Sequence, residues 1–332
     1  MAPVEQGEHV GATGSPPVCV VVSAYDRAPL LPPLVAALQA QTHPAFEVVL
    51  VDNGSRDDSF ADLQRLTAGD ERFRVLRIEE NRGPAKARNL GWRSATAPLV
   101  AFTDDDCVPD PGWLAALLEA AEHADIVQGR TVPAAPSPTR RPGWFDRSQR
   151  IERWSGRYET CNLLVPRPWL ERLGGFNEQF RIAMGEDTDL GLRAEAEGAT
   201  TAYAHEAVVV HHLWPSGFRD YLHQRRRYAE QVELMRVNPA ARNLLRWGFV
   251  LRGVHLLVWG LVPLTAASVA LGAPWVPVVA VAGWIVLNTH RTRHRPFPAW
   301  RRAGYSAIHL LGYAYETACF AAASLRYRSL VV

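Results

Sequence analysis

Little in this 332-residue chain is extreme, and each shortage excludes something. An excess of charge is missing: 36 Lys and Arg stand against 34 Asp and Glu, a formal charge of +2. No global electrostatic footprint for nucleic acid follows, so any basic character has to be local. Cysteine is scarce, with four residues at 19, 107, 161 and 319 and no paired metal-ligand spacing. They read as reduced, buried small hydrophobes, which favours a cytoplasmic setting. The opening MAPVEQGEHVGATGSPP lacks both a basic n-region and an apolar h-region, so it is no signal peptide, and residues 1–16 are expected to be a disordered leader.

What is present is a repeated alternation. Residues 18–24 (VCVVVSA), 47–52 (EVVLVD), 73–78 and 99–103 are apolar over most of their length. Strands buried on both faces of a parallel sheet have this composition. Helical stretches are expected between them at 30–41, 57–66 and 84–94. Such alternation predicts a doubly wound α/β layer, which binds ligands outside the carboxyl ends of its strands. Polar or acidic residues follow three of the runs at that place: Tyr25-Asp26, Asp52-Asn53-Gly54-Ser55 and Asp104-Asp105-Asp106. In extended chain Asp104 and Asp106 point the same way and could share one divalent ion. The competing reading is an acidic turn ahead of the helix that starts near Pro111.

After Trp247 the composition changes. Residues 253–273 carry His255 as their only ionisable side chain, and 275–289 are shorter but apolar. Both are expected to be membrane spans joined by a turn at Ala273-Pro274. Arginines lie on both flanks, at 225–227, 242 and 246 and again in HRTRHRPFPAWRR, which places both flanks in the cytoplasm. Residues 305–325, with His309 and Glu316, are expected to form an interfacial or re-entrant helix. The alternative is a helical core domain, for which the mean hydropathy of −0.11 leaves room.

Several motifs in order carry a resemblance: VVVSAYDRAPLL, QTHPAFEVVLVDNGS, NRGPAKARNLGW, FTDDDC, CNLLVPR with GGFNEQF, GEDTDLGLR and VVVHH. From Val18 to about Tyr228 the chain resembles glycosyltransferase family 2, the inverting group with the GT-A fold. The resemblance implies an α/β, Rossmann-like nucleotide-diphospho-sugar transferase domain at 17–232, and the apolar composition after it predicts a helical membrane region at 233–332. It implies that Tyr25 and Asp52 contact the nucleoside, with Arg88 and Asn89 nearby and Lys86 towards the phosphates. Asp104 and Asp105 would face the donor. Asp106 would hold Mn²⁺ or Mg²⁺, with Asp104 and a late histidine, His211 or its neighbour His212, completing the site. Asp187 would be the general base that deprotonates the acceptor hydroxyl, or Glu186 in its place. Asp52-Asn53 stands where the family often has two acids, which leaves the base preference open. Gln224-Arg225-Arg226-Arg227-Tyr228 resembles the Gln-x-x-Arg-Trp element of processive synthases, but the chain lacks the many spans of an export channel.

The implied partners are a nucleotide-sugar donor, a glycan or lipid-linked acceptor and a membrane, with the catalytic domain cytoplasmic and no nucleic acid. Two other classes compete. A nucleotidyltransferase would show a Gly-rich, basic loop after the first strand, and SAYDRAP has neither feature. A non-catalytic relative would not need Asp104, Asp106, Glu186 and Asp187 together.

Overall fold

The computed structural model describes residues 18–136, 143–245, 247, 253–293 and 298–331. The expected leader lies outside them. Eight strands form one mixed sheet in the order β3-β2-β1-β4-β7-β6-β8-β5. The first four are β1 Val18–Ala24, β2 Phe46–Asn53, β3 Phe73–Ile78 and β4 Leu99–Asp104, all parallel. The remainder are β5 Cys107–Pro109, β6 Ile126–Pro133, β7 Asn162–Pro166 and β8 Thr201–His211. β7 runs antiparallel to β4 and turns the sheet from parallel to mixed. The alternation thus delivers the α/β layer, and the apolar runs form its buried strands.

Helices α1 Leu31–Gln39, α2 Ser59–Thr67, α3 Pro84–Ser94, α4 Trp113–Ala121, α5 Arg167–Leu173 and α6 Glu186–Ala196 accompany the sheet. One cluster, including Val20, Val48, Leu34 and Leu114, fills one side, and another, including Val21, Val49, Phe102 and Leu163, fills the other. Successive residues of β1 and β2 point to opposite faces, so both faces of a strand can be apolar only if both are covered. Gly91 is the point of closest approach of α3 to the sheet, since a Cβ there would lie 2.4 Å from Val21.

Register fixes where the sequence motifs converge. Ala24 sits beside Asp52 and Ser23 beside Asp104, so the segments after β1, β2 and β4 emerge side by side. At the far edge Cys107 pairs with His211, and the His212 amide donates to the Asp106 carbonyl at 2.8 Å.

Beyond the sheet lie α7 Phe218–Tyr228, α8 Gln231–Val237, α9 Gly253–Ala270, α10 Val276–Arg291 and α11 Ala299–Tyr327. Two expectations bear on these helices. Among the described residues no helix is long and apolar enough to cross a membrane. The spans expected at 253–273 and 275–289 become helices of 18 and 16 residues. The helix expected at 305–325 as an interfacial element is part of the 29-residue α11, whose Phe320 and Ala323 join the same core as β1 and β4. The C-terminal helices thus share a core with the sheet.

Candidate active site

The site is built on the carboxyl ends of β1, β2 and β4 and on the first turn of α6. Its centre is Arg88 of α3, 4% exposed, which donates to Glu186 Oε1 at 2.7 Å and to Asp104 Oδ1 at 2.9 Å. Its two carboxylate partners come from 16 and 98 residues further along the chain. A buried arginine needs such partners, since an uncompensated buried cation is expensive. The two carboxylates raise its proton affinity against the opposing effect of burial.

Asp187 lies beside this clamp, half-buried, with one oxygen accepting from the Thr188 amide at 2.7 Å. Removal from water raises its carboxyl pKa well above the usual range; Glu186 and Glu159 add to the effect and Arg88 opposes it. Glu186 Oε1 is spent on Arg88, while its Oε2 is buried without a hydrogen-bond partner. Of the two acids, Asp187 is the one not held by an ion pair among the described residues.

Asp106 forms a second centre with His211. Its Oδ2 accepts from Trp214 Nε1 at 2.7 Å, and its Oδ1 lies 3.5 Å from His211 Nε2. His211 Nδ1 is 2.9 Å from the His212 carbonyl, which can only accept, so Nδ1 carries a proton, and in the neutral ring Nε2 is left to present a lone pair to Asp106. Two acceptors facing each other at this distance repel unless a cation or a proton sits between them. One ligand atom from each of Asp106, Cys107 and His211 falls within 4.8 Å of the others. Burial lifts the Cys107 thiol far above its ordinary pKa, so it stays protonated and is a poor ligand. A carboxylate and a neutral imidazole fit Mn²⁺ or Mg²⁺. Between the alternatives at 211 and 212, His211 faces Asp106, whereas the His212 ring packs edge-on against Trp214 at 4.7 Å.

Asp52 is fully buried at the end of β2. Its Oδ2 accepts from the Ser55 amide at 3.3 Å and lies 3.6 Å from Arg77, but Oδ1 has no partner. A buried acceptor left open beside the β1 turn suits a ligand N–H. Tyr25 opens that turn, and its amide donates to Asp105 Oδ2 at 3.0 Å.

Three expected contacts are placed elsewhere. Asp105 braces the β1 turn, with Tyr25 on one oxygen and Arg27 at 3.3 Å from the other, and burial pushes its pKa up to about 7. Lys86 is exposed, 4.0 Å from Glu178, because its position on α3 faces outward. Asn89 spends its amide on the chain: its nitrogen reaches the Phe176 carbonyl at 2.8 Å, and its oxygen accepts from the Phe176 amide and Trp92. It ties the Gly-Gly-Phe-Asn turn to α3 and thereby supports Arg88 one residue before it.

Trp214 and Arg27 escaped the sequence reading. Arg27 stacks over the Trp214 ring at 4.7 Å, so the turn after β1 touches the residue that holds Asp106. A tryptophan three residues past His211, at a strand exit, was the available signal. Arg227 of α7 is half-buried, and burial and Arg147 lower its proton affinity while Glu186 opposes them.

A family model described as Glycosyl transferase family 2 matches residues 19–176, and one described as Glycosyl transferase family group 2 matches 99–290. The O-antigen biosynthesis protein RfbC of Myxococcus xanthus is 30% identical over 242 residues, 64% of this chain but 18% of that protein. The succinoglycan biosynthesis protein ExoU of Rhizobium meliloti is 34% identical over 208 residues, 57% of this chain and 59% of its own length. Among solved structures, a mannosyltransferase from Pyrobaculum calidifontis, in complex with GDP-Man and Mn²⁺, superposes with a TM-score of 0.59. It is 19% identical, over 95% of this chain and 88% of that one. That likeness shows a shared fold, an α/β mixed sheet of the GT-A kind.

Proposed function

The chain belongs to glycosyltransferase family 2, and from that premise we propose that it is an inverting, metal-dependent transferase that moves a sugar from a nucleotide-sugar to an envelope glycan, glycolipid or polyprenyl-phosphate acceptor. The observation that carries this reading is the Arg88 clamp, which draws Asp104 and Glu186 onto one cation beside Asp187. The nucleoside lies at the ends of β1 and β2, where Asp52 Oδ1 accepts a base N–H and Tyr25 borders the same turn. Asp106 and His211 would hold the divalent ion, which when bound would neutralise charge on the leaving diphosphate. Arg227, within the field of Glu186, adds a second cation near the clamp. Asp187 takes the proton from the acceptor hydroxyl as its oxygen attacks the anomeric carbon opposite the leaving group. Its raised pKa makes it a stronger base than an ordinary carboxylate. The GDP-Man and Mn²⁺ bound by the Pyrobaculum mannosyltransferase support the donor class.

Thermal-shift screening against a panel of nucleotide-sugars with Mn²⁺ tests the reading. One donor should stabilise the wild type by about 3 kcal/mol at a concentration a hundredfold above its Kd. Asp106→Ala should lose most of that shift, and metal-free wild type should resemble the variant. Equal stabilisation with and without Mn²⁺ refutes the metal assignment.

The same reading places the protein on the cytoplasmic face of the cell membrane. Its support is the apolar surface of α9 and α10, where Val262, Val269, Leu271, Trp275, Val278 and Val279 are all exposed. The exposed Arg291 and Arg293 follow directly, as suits anionic headgroups. The full chain should sediment with phosphatidylglycerol vesicles, and Leu271→Asp with Trp275→Asp should leave most of it in the supernatant. Wild type that stays in the supernatant at every lipid concentration ends the membrane assignment.

A further inference from the structure

A cavity of about 590 Å³ opens beside the first turn of α6, lined by residues 150–155 and Glu159. That volume is within the range of about 300–1,000 Å³ that accommodates one small ligand. We propose that this cavity seats a neutral pyranose ring of the acceptor, packed on the face of Trp154. The inference rests on Asp187 being the general base, and it narrows the acceptor to one that ends in a sugar.

Position comes first. The loop is pinned to the sheet at Ile151, which exchanges both backbone hydrogen bonds with Thr131 at 2.9 and 2.8 Å. Tyr203 adds a hydroxyl bond to the Ile151 carbonyl at 2.9 Å. At its other end, Thr188 Oγ1 donates to the Arg157 carbonyl at 2.8 Å, one residue from Asp187. Glu159, on the cavity wall, follows Arg157 by two residues, so the wall is tied to the turn that carries Asp187. A ring in the cavity therefore lies next to the base. The donor elements, at the ends of β1 and β2 and at Asp106 and His211, contribute none of its lining. Inverting transfer needs this separation, since the acceptor oxygen approaches from the side away from the leaving diphosphate.

The lining has the chemistry of a sugar site. Trp154 is half-buried and meets Tyr158 edge to face, with ring centroids 5.0 Å apart at 90°. Tyr158 is itself fully buried against α6, so close that a Cβ on Gly191 would fall 2.0 Å from its ring. The indole is thus held in one orientation, which suits stacking on the C–H face of a pyranose. Around it stand groups that bond hydroxyls: Ser155, donating to Glu159 at 2.7 Å, and the guanidinium of Arg153. The wall carries two cations and two carboxylates, with Arg150 paired to Glu152 at 2.9 Å and Arg153 and Glu159 making up the rest. An uncharged hydroxyl-rich ring matches this wall better than a bare phosphate.

Saturation-transfer NMR on the full chain, with Mn²⁺ and the nucleoside diphosphate of the stabilising donor present, tests the proposal with methyl α-D-glucopyranoside and methyl α-D-mannopyranoside. At least one should receive saturation from the wild type. Trp154→Ala should cut the transfer at least fivefold and Trp154→Phe should largely retain it. Arg153→Ala, an exposed change, should also weaken it severalfold and serves if Trp154→Ala does not fold. Each variant should keep the thermal shift given by the donor. Transfer equal in all variants, or absent from the wild type while the donor still stabilises it, overturns the sugar seat alone. A wild type that no nucleotide-sugar stabilises overturns the underlying catalytic reading instead.

Discussion

Asp187→Asn should lower turnover by about a thousandfold, the scale of a general base in proton-transfer catalysis, while leaving donor affinity near that of the wild type. The substitution removes the proton acceptor but little volume. The neighbouring anchors stay, because Arg88 is held by Asp104 and Glu186 rather than by Asp187. Release of nucleoside diphosphate from the stabilising nucleotide-sugar measures the rate, and calorimetric titration measures the affinity. The sign of the pH dependence follows from burial. Asp187's pKa is raised, so the carboxyl is protonated, and inactive as a base, at pH values where an ordinary carboxylate would already be ionised. The acid limb of the wild-type rate should therefore lie above the usual carboxylate range near pH 4, and the residual rate of the variant should lack it. Turnover of the variant within tenfold of wild type would move the base to Glu186. Glu186→Gln is expected to act differently, loosening Arg88 and weakening donor binding as well as rate, because its Oε1 is already committed to that guanidinium.

The site was legible where chemistry follows directly from strand ends. Asp52, Asp104 and Asp106 each terminate or follow an apolar run, and a parallel sheet delivers such positions to one edge. Arg88 was placed near the nucleotide, but its bridging of Asp104 and Glu186 depends on how α3 lies over β4 and α6 and has no local signature. Asn89 and Lys86 neighbour Arg88 in sequence yet differ in fate, since on a helix successive residues point about 100° apart. One side chain is consumed by Phe176 and Trp92, and the other reaches solvent. Asp105 shows the same limit in the turn that follows β4: it braces Tyr25 and Arg27, while Asp104 goes to Arg88 and Asp106 to Trp214 and His211. The C-terminal third was legible as apolar helices but not in what covers them. Apolar composition reports that a helix leaves water, not whether lipid or protein receives it, and in α11 Phe320 and Ala323 are received by the protein core.

Glu316 supplies the second large effect. It is fully buried on α11, and its Oε2 accepts from Arg225 of α7 at 2.5 Å while His255 of α9 lies 3.5 Å from its other oxygen. Arg225 is itself buried, stacked over Tyr221 and Tyr313 at 4.7 and 4.4 Å. Glu316→Ala would leave that guanidinium without its counter-charge in a water-poor interface, a loss of about 3–5 kcal/mol for a broken buried pair. Denaturant unfolding followed by far-ultraviolet circular dichroism should record it as a lower midpoint. The cost belongs to the stranded charge rather than to the pair. Replacing both partners, as Arg225→Met with Glu316→Leu, should accordingly restore most of the stability. The activity of the double variant then separates two roles for the pair. Arg227 lies two residues beyond Arg225 on α7, within the field of Glu186. If seating α7 on α11 is all that Arg227 requires, the stable double variant should bind the donor as the wild type does. A double variant as unstable as Glu316→Ala would show instead that the ion pair itself holds the C-terminal helices against the catalytic layer.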